Sequence, residues 1–423
     1  MDYAILGGGA LGLVSALRLA QQGERVTIYE REPVAGGLAS GFPIDDAWLE
    51  KFYHHIFRTD RGIIRLIDEL GLTDRLRWPR PATVTLWEGA IYQLDSPLTV
   101  LRFPPLTFPQ RVRMAAALAF LKVAPAAPLE GKLAAAWIRR WMGEAPYRVV
   151  WEPLLRGKFG ATREEIALPW FWARVHDRTT ELGYLRGGFQ YVYERLVARI
   201  TALGGEVRLG VAVDAVRRAP DGKLIVRTAD GERRFDRVIS TLPPRLLCRL
   251  VPELPDDYRA RYDWGRAYGA HCLILALDRP LTDSYWMNVN DAGFPFLALV
   301  EHTNYMPTGD YGGRHLLYLG NYRPMDDPLF RKSKEEIVAE FLPHLARINP
   351  AFSPAWVTAS WSFSAPFAQP IVTTDYKEHI PPFDTPVPGL YEASMFQVYP
   401  HDRGQNYSVL LAEELTAKLL AER

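Results

Sequence analysis

An α/β fold made of two interleaved domains is predicted, on three observations. The chain opens with a short apolar run, Asp2-Tyr3-Ala4-Ile5-Leu6, which passes through Gly7-Gly8-Gly9-Ala10-Leu11-Gly12 into a helix-forming stretch at 13–22. Strand patterns dominate from 268 to about 385, with a single helical stretch at 335–345. The closing residues return to one strand, 389–394, and one helix, 409–420. At 423 residues the chain is long enough for two domains with a large core.

The opening is a strand, a tight turn and a helix. Gly7, Gly9 and Gly12 stand in G-x-G-x-x-G spacing. The first glycine turns the chain, the second lets backbone N–H groups approach a pyrophosphate, and the third permits close helix–strand packing. Ala10 and Leu11, at the helix start, join that cradle, where the positive end of the helix dipole favours an anion. A second strand at 25–29 leads to Glu30, about twenty residues past the glycines, where a carboxylate can accept hydrogen bonds from ribose hydroxyls. Arg31 follows it. The chain therefore begins with a dinucleotide half-site.

A second glycine pair, Gly36-Gly37-Leu38, comes just past that carboxylate. With 5–12 and Val26-Thr27-Ile28-Tyr29-Glu30, it resembles the extended FAD fingerprint of flavin amine oxidases, protoporphyrinogen oxidases, phytoene-desaturase-like enzymes and UDP-galactopyranose mutases. The resemblance implies FAD as cofactor and a Rossmann-like, glutathione-reductase-type FAD-binding domain interleaved with an α+β substrate-binding domain. By this reading 1–80, 186–246 and 386–423 form the FAD-binding domain. A helical lobe and an antiparallel sheet, 81–185 and 247–385, form the substrate-binding domain.

Further along, Ala47 to Asp60 is aromatic and histidine-rich. His55-Ile56-Phe57 resembles the histidine segment beside the flavin in UDP-galactopyranose mutases. Adjacent side chains of a strand face opposite ways, so only one of His54 and His55 is expected to reach the ring, and the resemblance selects His55. The spacing at 63–70, ending at Gly71, predicts a helix with a glycine C-cap. Two short strands are expected within 78–94, joined near Glu88-Gly89. Residues 109–121 read as an amphipathic or fully buried helix, and 103–129 as a segment able to sit in a membrane interface. Helices at 133–141 and 146–155 continue the lobe.

The run from Trp151 to Gly160 resembles a segment of bacterial protoporphyrinogen oxidase-like enzymes. Its Lys158 is a candidate for an anion-binding or flavin-side position; the plainer reading is an exposed loop lysine. A Gly187-Gly188-Phe189 turn precedes a helix at 191–203. The strand pattern at 205–214 matches one that contacts adenine through its main chain, which points to Val211. Residues 224–228 and 233–240 are expected to form a hairpin around Asp230-Gly231. Just past the second of these stands Thr241, a further cofactor-side candidate. At the C-terminal end, Tyr399 to Ser408 resembles the terminal flavin motif, with Arg403, Gly404, Gln405 and Asn406 as contacts. Glu392-Ala393-Ser394 stands where many flavoproteins carry Ala-Gly-Asp.

The resemblance implies a FAD-dependent oxidoreductase in which an organic substrate of amine, porphyrinogen-like or isoprenoid-like type passes a hydride to flavin N5. His55, Lys158 and Arg403 are the catalytic candidates. Two alternatives stay open: a UDP-galactopyranose mutase-like flavoenzyme acting on a nucleotide sugar without net redox, and a flavin-binding protein without turnover. The 50 Lys and Arg against 49 Asp and Glu, spread along the chain, give no ground for a nucleic-acid partner. Cys248 and Cys272 lack metal-like spacing, so no metal site is expected. Two reduced thiols, a first residue that runs straight into a strand, and apolar stretches broken by Lys122, Pro125 and Pro128 suggest a cytoplasmic protein, at most peripheral to a membrane.

Overall fold

A computed structural model of the chain describes residues 1–263 and 266–422. Its organising layer is a five-stranded, all-parallel sheet in the order Glu206–Leu209, Arg25–Glu30, Asp2–Leu6, Arg237–Ser240, Leu390–Glu392. The central strand is buried on both faces, with Tyr3, Ala4, Ile5 and Leu6 at 0–1% exposure, as parallel sheets require. The helix Ala10–Gln21 returns from this strand and packs on the closing helix Gln405–Ala421, which also holds Arg61–Glu69. Leu13, Leu17, Ile63, Ile67, Val409 and Leu415 share one core there.

The second layer is a seven-stranded sheet in the order Val357–Pro370, Ala267–Leu277, His315–Arg323, Ala298–Glu301, Trp286–Val289, Thr83–Trp87, Ala90–Gln93. It is antiparallel except where Trp286–Val289 meets Thr83–Trp87. In its longest buried strand, Ala267–Leu277, residues 272–277 send successive side chains to opposite faces. Cys272, Ile274 and Ala276 face the core shared with the parallel-sheet domain, while Leu273, Leu275 and Leu277 face the helix Lys334–Leu345. The helical lobe comprises Phe108–Val123, Ala134–Trp141, Glu152–Phe159 and Leu168–His176 around a separate core of Met114, Ile138, Phe159 and Trp170.

Three expectations are corrected. The hairpin partner of Leu224–Thr228 is Gly231–Phe235, with Ala229-Asp230 at the tip. Residues Arg237–Ser240 leave the hairpin because they pair in parallel with Asp2–Leu6. The histidines His54 and His55 lie between the strands Ala47–Glu50 and Ile56–Phe57, so strand alternation does not separate them. Lys158 belongs to the helix Glu152–Phe159, where it is 8% exposed, rather than to a solvated loop. The turn at Glu88-Gly89 forms as expected, both residues having positive φ (50° and 74°).

Candidate active site

One cavity of about 1040 Å³ runs between the two sheets and the helical lobe. It begins at the glycine turn. Gly9 pairs with Gly36, Gly36 N–H donates to the Gly8 carbonyl at 2.8 Å, and Gly37 (φ 58°) brings its Cα against Gly9. The two glycine pairs therefore form one backbone cradle. A Cβ on Gly12 would lie 2.0 Å from the Gly7 carbonyl oxygen, so only glycine lets the helix start this close. Glu30 is buried with each oxygen accepting a backbone amide, from Gly8 at 2.7 Å and Glu32 at 2.9 Å. A carboxylate has about four acceptor positions, so ribose hydroxyls can still bind. Arg31 is exposed at the rim and pairs with Glu32 at 3.3 Å.

Every predicted site residue except Gly12 lines this cavity: Gly7, Gly9, Ala10, Leu11, Glu30, Arg31, Gly36, Gly37, Leu38, His55, Lys158, Val211, Thr241, Arg403, Gly404, Gln405 and Asn406. Their local bonding narrows what each can do. Val211 donates its N–H to the Glu30 carbonyl at 2.8 Å, so an adenine contact would fall to its carbonyl. The Thr241 hydroxyl donates to the Leu6 carbonyl at 2.9 Å. Leu38 packs with Ala270, Ala365 and Ala368 in the wall. Asn406 Oδ1 accepts from Gly62 N–H at 2.8 Å and Ile63 N–H at 3.3 Å. It caps the helix Arg61–Glu69, so its side-chain oxygen is already engaged.

FAD fits this set. Among the described residues, buried Gln405 Nε2 has no partner, although its Oε1 accepts from Tyr193 at 2.6 Å. A Cβ on Gly404 would meet nothing within 4 Å, leaving open space before the amides of the helix Gln405–Ala421. Such amides favour negative charge on a cofactor.

The inner end of the cavity is a cluster of cations around one carboxylate. Asp402 Oδ2 accepts from Arg174 at 2.8 Å and Lys158 Nζ at 3.2 Å, and Arg403 approaches Oδ1 at 3.7 Å. Lys158 and Arg403 also share Gln369 Oε1, at 3.0 and 2.6 Å, and Arg403 donates to the Tyr322 hydroxyl at 2.8 Å. Burial favours the neutral acid in Asp402, but Lys158, Arg174 and Arg403 outweigh it and hold the carboxyl below its usual range. Burial pulls Lys158 from 10.5 down to about 7; Asp402 opposes this, and Arg174 and Arg403 reinforce it. His54, donating from Nδ1 to the Phe52 carbonyl at 2.6 Å, is lowered by burial to about 4. His55, hydrogen-bonded to Tyr285 at 3.2 Å, is lowered by burial, and then by Arg178, to about 3. Both rings are neutral at pH 7, and both line the cavity, as does Arg178.

Lys158 and Arg403 are thus brought together, and His55 stands apart from them beside Tyr285 and Trp286. Asp402, Gln369, Arg174 and Arg178 are additions that sequence reasoning missed. Arg174 and Arg178 were the findable ones: charges at the end of the apolar run Leu168-Pro169-Trp170-Phe171-Trp172-Ala173. Among the described residues, no group of three or more His, Cys, Asp and Glu side chains could hold a metal ion.

The family profile of flavin-containing amine oxidoreductases matches residues 12–401. The chain belongs to that family. That family is one of flavin-containing oxidoreductases. Like other flavin-containing amine oxidoreductases, it has relatives of several activities. A carotenoid phi-ring synthase from Streptomyces griseus is 31% identical over 66% of this chain and 60% of its own length. A 15-cis-phytoene desaturase from Arabidopsis thaliana is 26% identical over 60% of this chain and 50% of its own. The chain thus spans less than two thirds of the curated relatives it matches. Among solved structures, an Exiguobacterium protein provisionally assigned as protoporphyrinogen oxidase superposes with a TM-score of 0.80 at 19% identity, covering 100% of this chain and 99% of that one. Reduced UDP-galactopyranose mutase gives 0.77 at 15% identity over 100% and 96%, and putrescine oxidase bound to putrescine 0.74 at 18% over 99% of both. These structures share the fold.

Proposed function

We propose that this flavoenzyme oxidises a small organic molecule of amine, porphyrinogen-like or isoprenoid-like type, held at the Lys158–Arg403 end of the cavity. The observation that carries the reading is the continuity of the cavity: the glycine cradle and the Lys158–Asp402–Arg403 cluster open onto the same space. When bound, FAD supplies acceptance, at N5, of the hydride that leaves a substrate carbon. The protein's own groups do the rest. Apolar walls of Ile56, Leu154, Leu297, Phe363 and Ala368 exclude water from the reacting centre. Lys158, titrating near neutrality, is suited to take the proton that the substrate loses with the hydride, and Asp402 and Gln369 fix its ammonium. Arg403 and the amides of Gln405–Ala421 favour negative charge at the cofactor end.

The test is an anaerobic titration of the purified flavoprotein. Bleaching of the flavin bands by an amine, porphyrinogen or isoprenoid supports the oxidase reading. Bleaching by NADPH alone, with isomerisation of an added nucleotide sugar, would replace it with a mutase-like reaction.

We further propose that the lobe around 103–129 touches a membrane surface. The helix Phe108–Val123 buries Met114, Ala117 and Leu121 and turns Phe108, Val112, Phe120 and Val123 outward. Its Arg113 and Lys122, both exposed, donate to carbonyls of Trp141 (2.9 Å) and His176 (2.7 Å). Among the described residues, no helix is long and apolar enough to cross a membrane.

A further inference from the structure

Four cationic side chains reach the inner end of the cavity, and three of them have an anion. Lys158, Arg174 and Arg403 share Asp402. Arg178 shares nothing. Among the described residues its guanidinium makes one long hydrogen bond, from Nη2 to Thr83 Oγ1 at 3.4 Å, and no ion pair. The nearby carboxylates are engaged elsewhere. Asp177 accepts from His401 at 2.6 Å, Tyr407 at 2.9 Å and His176 at 3.0 Å. Asp95 accepts from Gln93 at 2.8 Å and Thr83 N–H at 3.3 Å. Asp60 accepts from Phe57 N–H at 2.8 Å.

Arg178 is exposed because it lines both the main cavity and a smaller polar one of about 300 Å³ with Arg80, Asp95, Ser96 and Thr179 on its wall. The surrounding protein and the neighbouring Arg174 depress its guanidinium to about 10, with Asp95 and Tyr285 opposing, which still leaves it charged at pH 7. Arg178 is exposed to this cavity space and makes no ion pair among the described residues, so its guanidinium is open to an anion that enters. A guanidinium fork suits a carboxylate or phosphate, to which it can donate two parallel hydrogen bonds. The phosphates of FAD do not supply this anion. Their cradle is the glycine turn of the parallel-sheet domain, whereas Arg178 follows the helix Leu168–His176 of the lobe. In the main cavity Arg178 shares the wall with the neutral His55, which its charge reaches, and His55 packs on Tyr285 and Trp286.

We propose that Arg178 receives a carboxylate or phosphate of the substrate, so that the molecule oxidised in this cavity is an acid rather than a free amine or a bare hydrocarbon. This rests on the reading of the inner cavity as the substrate site. It narrows that reading: the anion fixes one end of the substrate at Arg178, and the oxidised carbon lies toward Lys158.

The test is calorimetric titration of the FAD-loaded protein with four probes of similar size: benzoate, phenyl phosphate, benzylamine and benzyl alcohol. Saturable binding of benzoate, phenyl phosphate or both, with no binding of the amine or alcohol, is expected, and the pair separates a carboxylate from a phosphate site. Arg178→Gln should weaken anion binding about tenfold or more, and Arg178→Lys by less, because it keeps the charge and loses the fork. Binding of benzylamine or benzyl alcohol as tight as that of the anions, no binding of either anion, or an unchanged affinity in Arg178→Gln with an unchanged circular dichroism spectrum would each overturn the assignment. Heat of binding does not depend on turnover, so a protein that binds benzoate through Arg178 but is never reduced by an organic substrate would sink the oxidase reading and leave the anion site standing.

Discussion

Lys158 carries the sharpest consequence at the scale of one residue. Its ammonium is buried beside Asp402, and burial brings its value from 10.5 to about 7. Above about pH 7 the folded chain holds the neutral amine, while the unfolded chain keeps the proton up to its ordinary value. The unfolded state therefore binds more protons between about 7 and 10.5, and Lys158 makes stability rise with pH across that window. Lys158→Met should flatten that rise in thermal melts. It should also remove the limb of kcat/KM that climbs through pH 7; a limb that survives in the variant excludes Lys158 as proton acceptor. Asp402 is the counterpart. Asp402→Asn leaves Lys158, Arg174 and Arg403 without their common anion, and a destabilisation on the order of 3 kcal/mol is expected in denaturant titration.

The glycine turn shows, at the scale of elements, why part of this site could be read in advance. Strand, turn, helix and ribose carboxylate are adjacent in sequence, each with a local residue preference, and so 1–40 was legible. The same holds for the Glu88-Gly89 hairpin. The inner cluster was not legible, because Lys158 and Asp402 lie 244 positions apart and meet only when the lobe packs on the terminal segment. Asn406 illustrates a second limit. Its place in a flavin-like motif suggested a ring contact, yet its side-chain oxygen serves the first turn of another helix, Arg61–Glu69. Asn406→Ala should accordingly destabilise the protein by about 1 kcal/mol, the usual worth of a cap, measured by denaturant unfolding. Gly12→Ala should act on the cofactor instead. Its Cβ would press on the Gly7 carbonyl, the helix start would retreat, and the purified variant should retain little flavin by its absorbance ratio at 450 and 280 nm, on the order of a tenth or less of wild type.

For the whole molecule, apolar exposure is uneven. Phe108, Phe120, Val123 and Trp141, at 66%, 51%, 81% and 53%, all belong to the helical lobe. Exposed apolar surface gathered on one lobe marks a contact face. Flotation with phosphatidylcholine–phosphatidylglycerol vesicles should carry the protein upward, and Phe108→Asp with Val123→Asp should abolish this while leaving the flavin spectrum unchanged; a wild-type protein that stays at the bottom of the gradient excludes the contact. The parallel sheet has a consequence of another kind. Its central strand, Asp2–Leu6, is flanked by Arg237–Ser240, which in turn needs Leu390–Glu392, and the Ala10–Gln21 helix is covered by Gln405–Ala421. At about 5–20 residues per second a ribosome takes on the order of a minute to reach that last strand. Throughout that time the glycine turn lacks the strand that completes its sheet and the helix that covers its own, so this early segment is finished only when the last elements arrive.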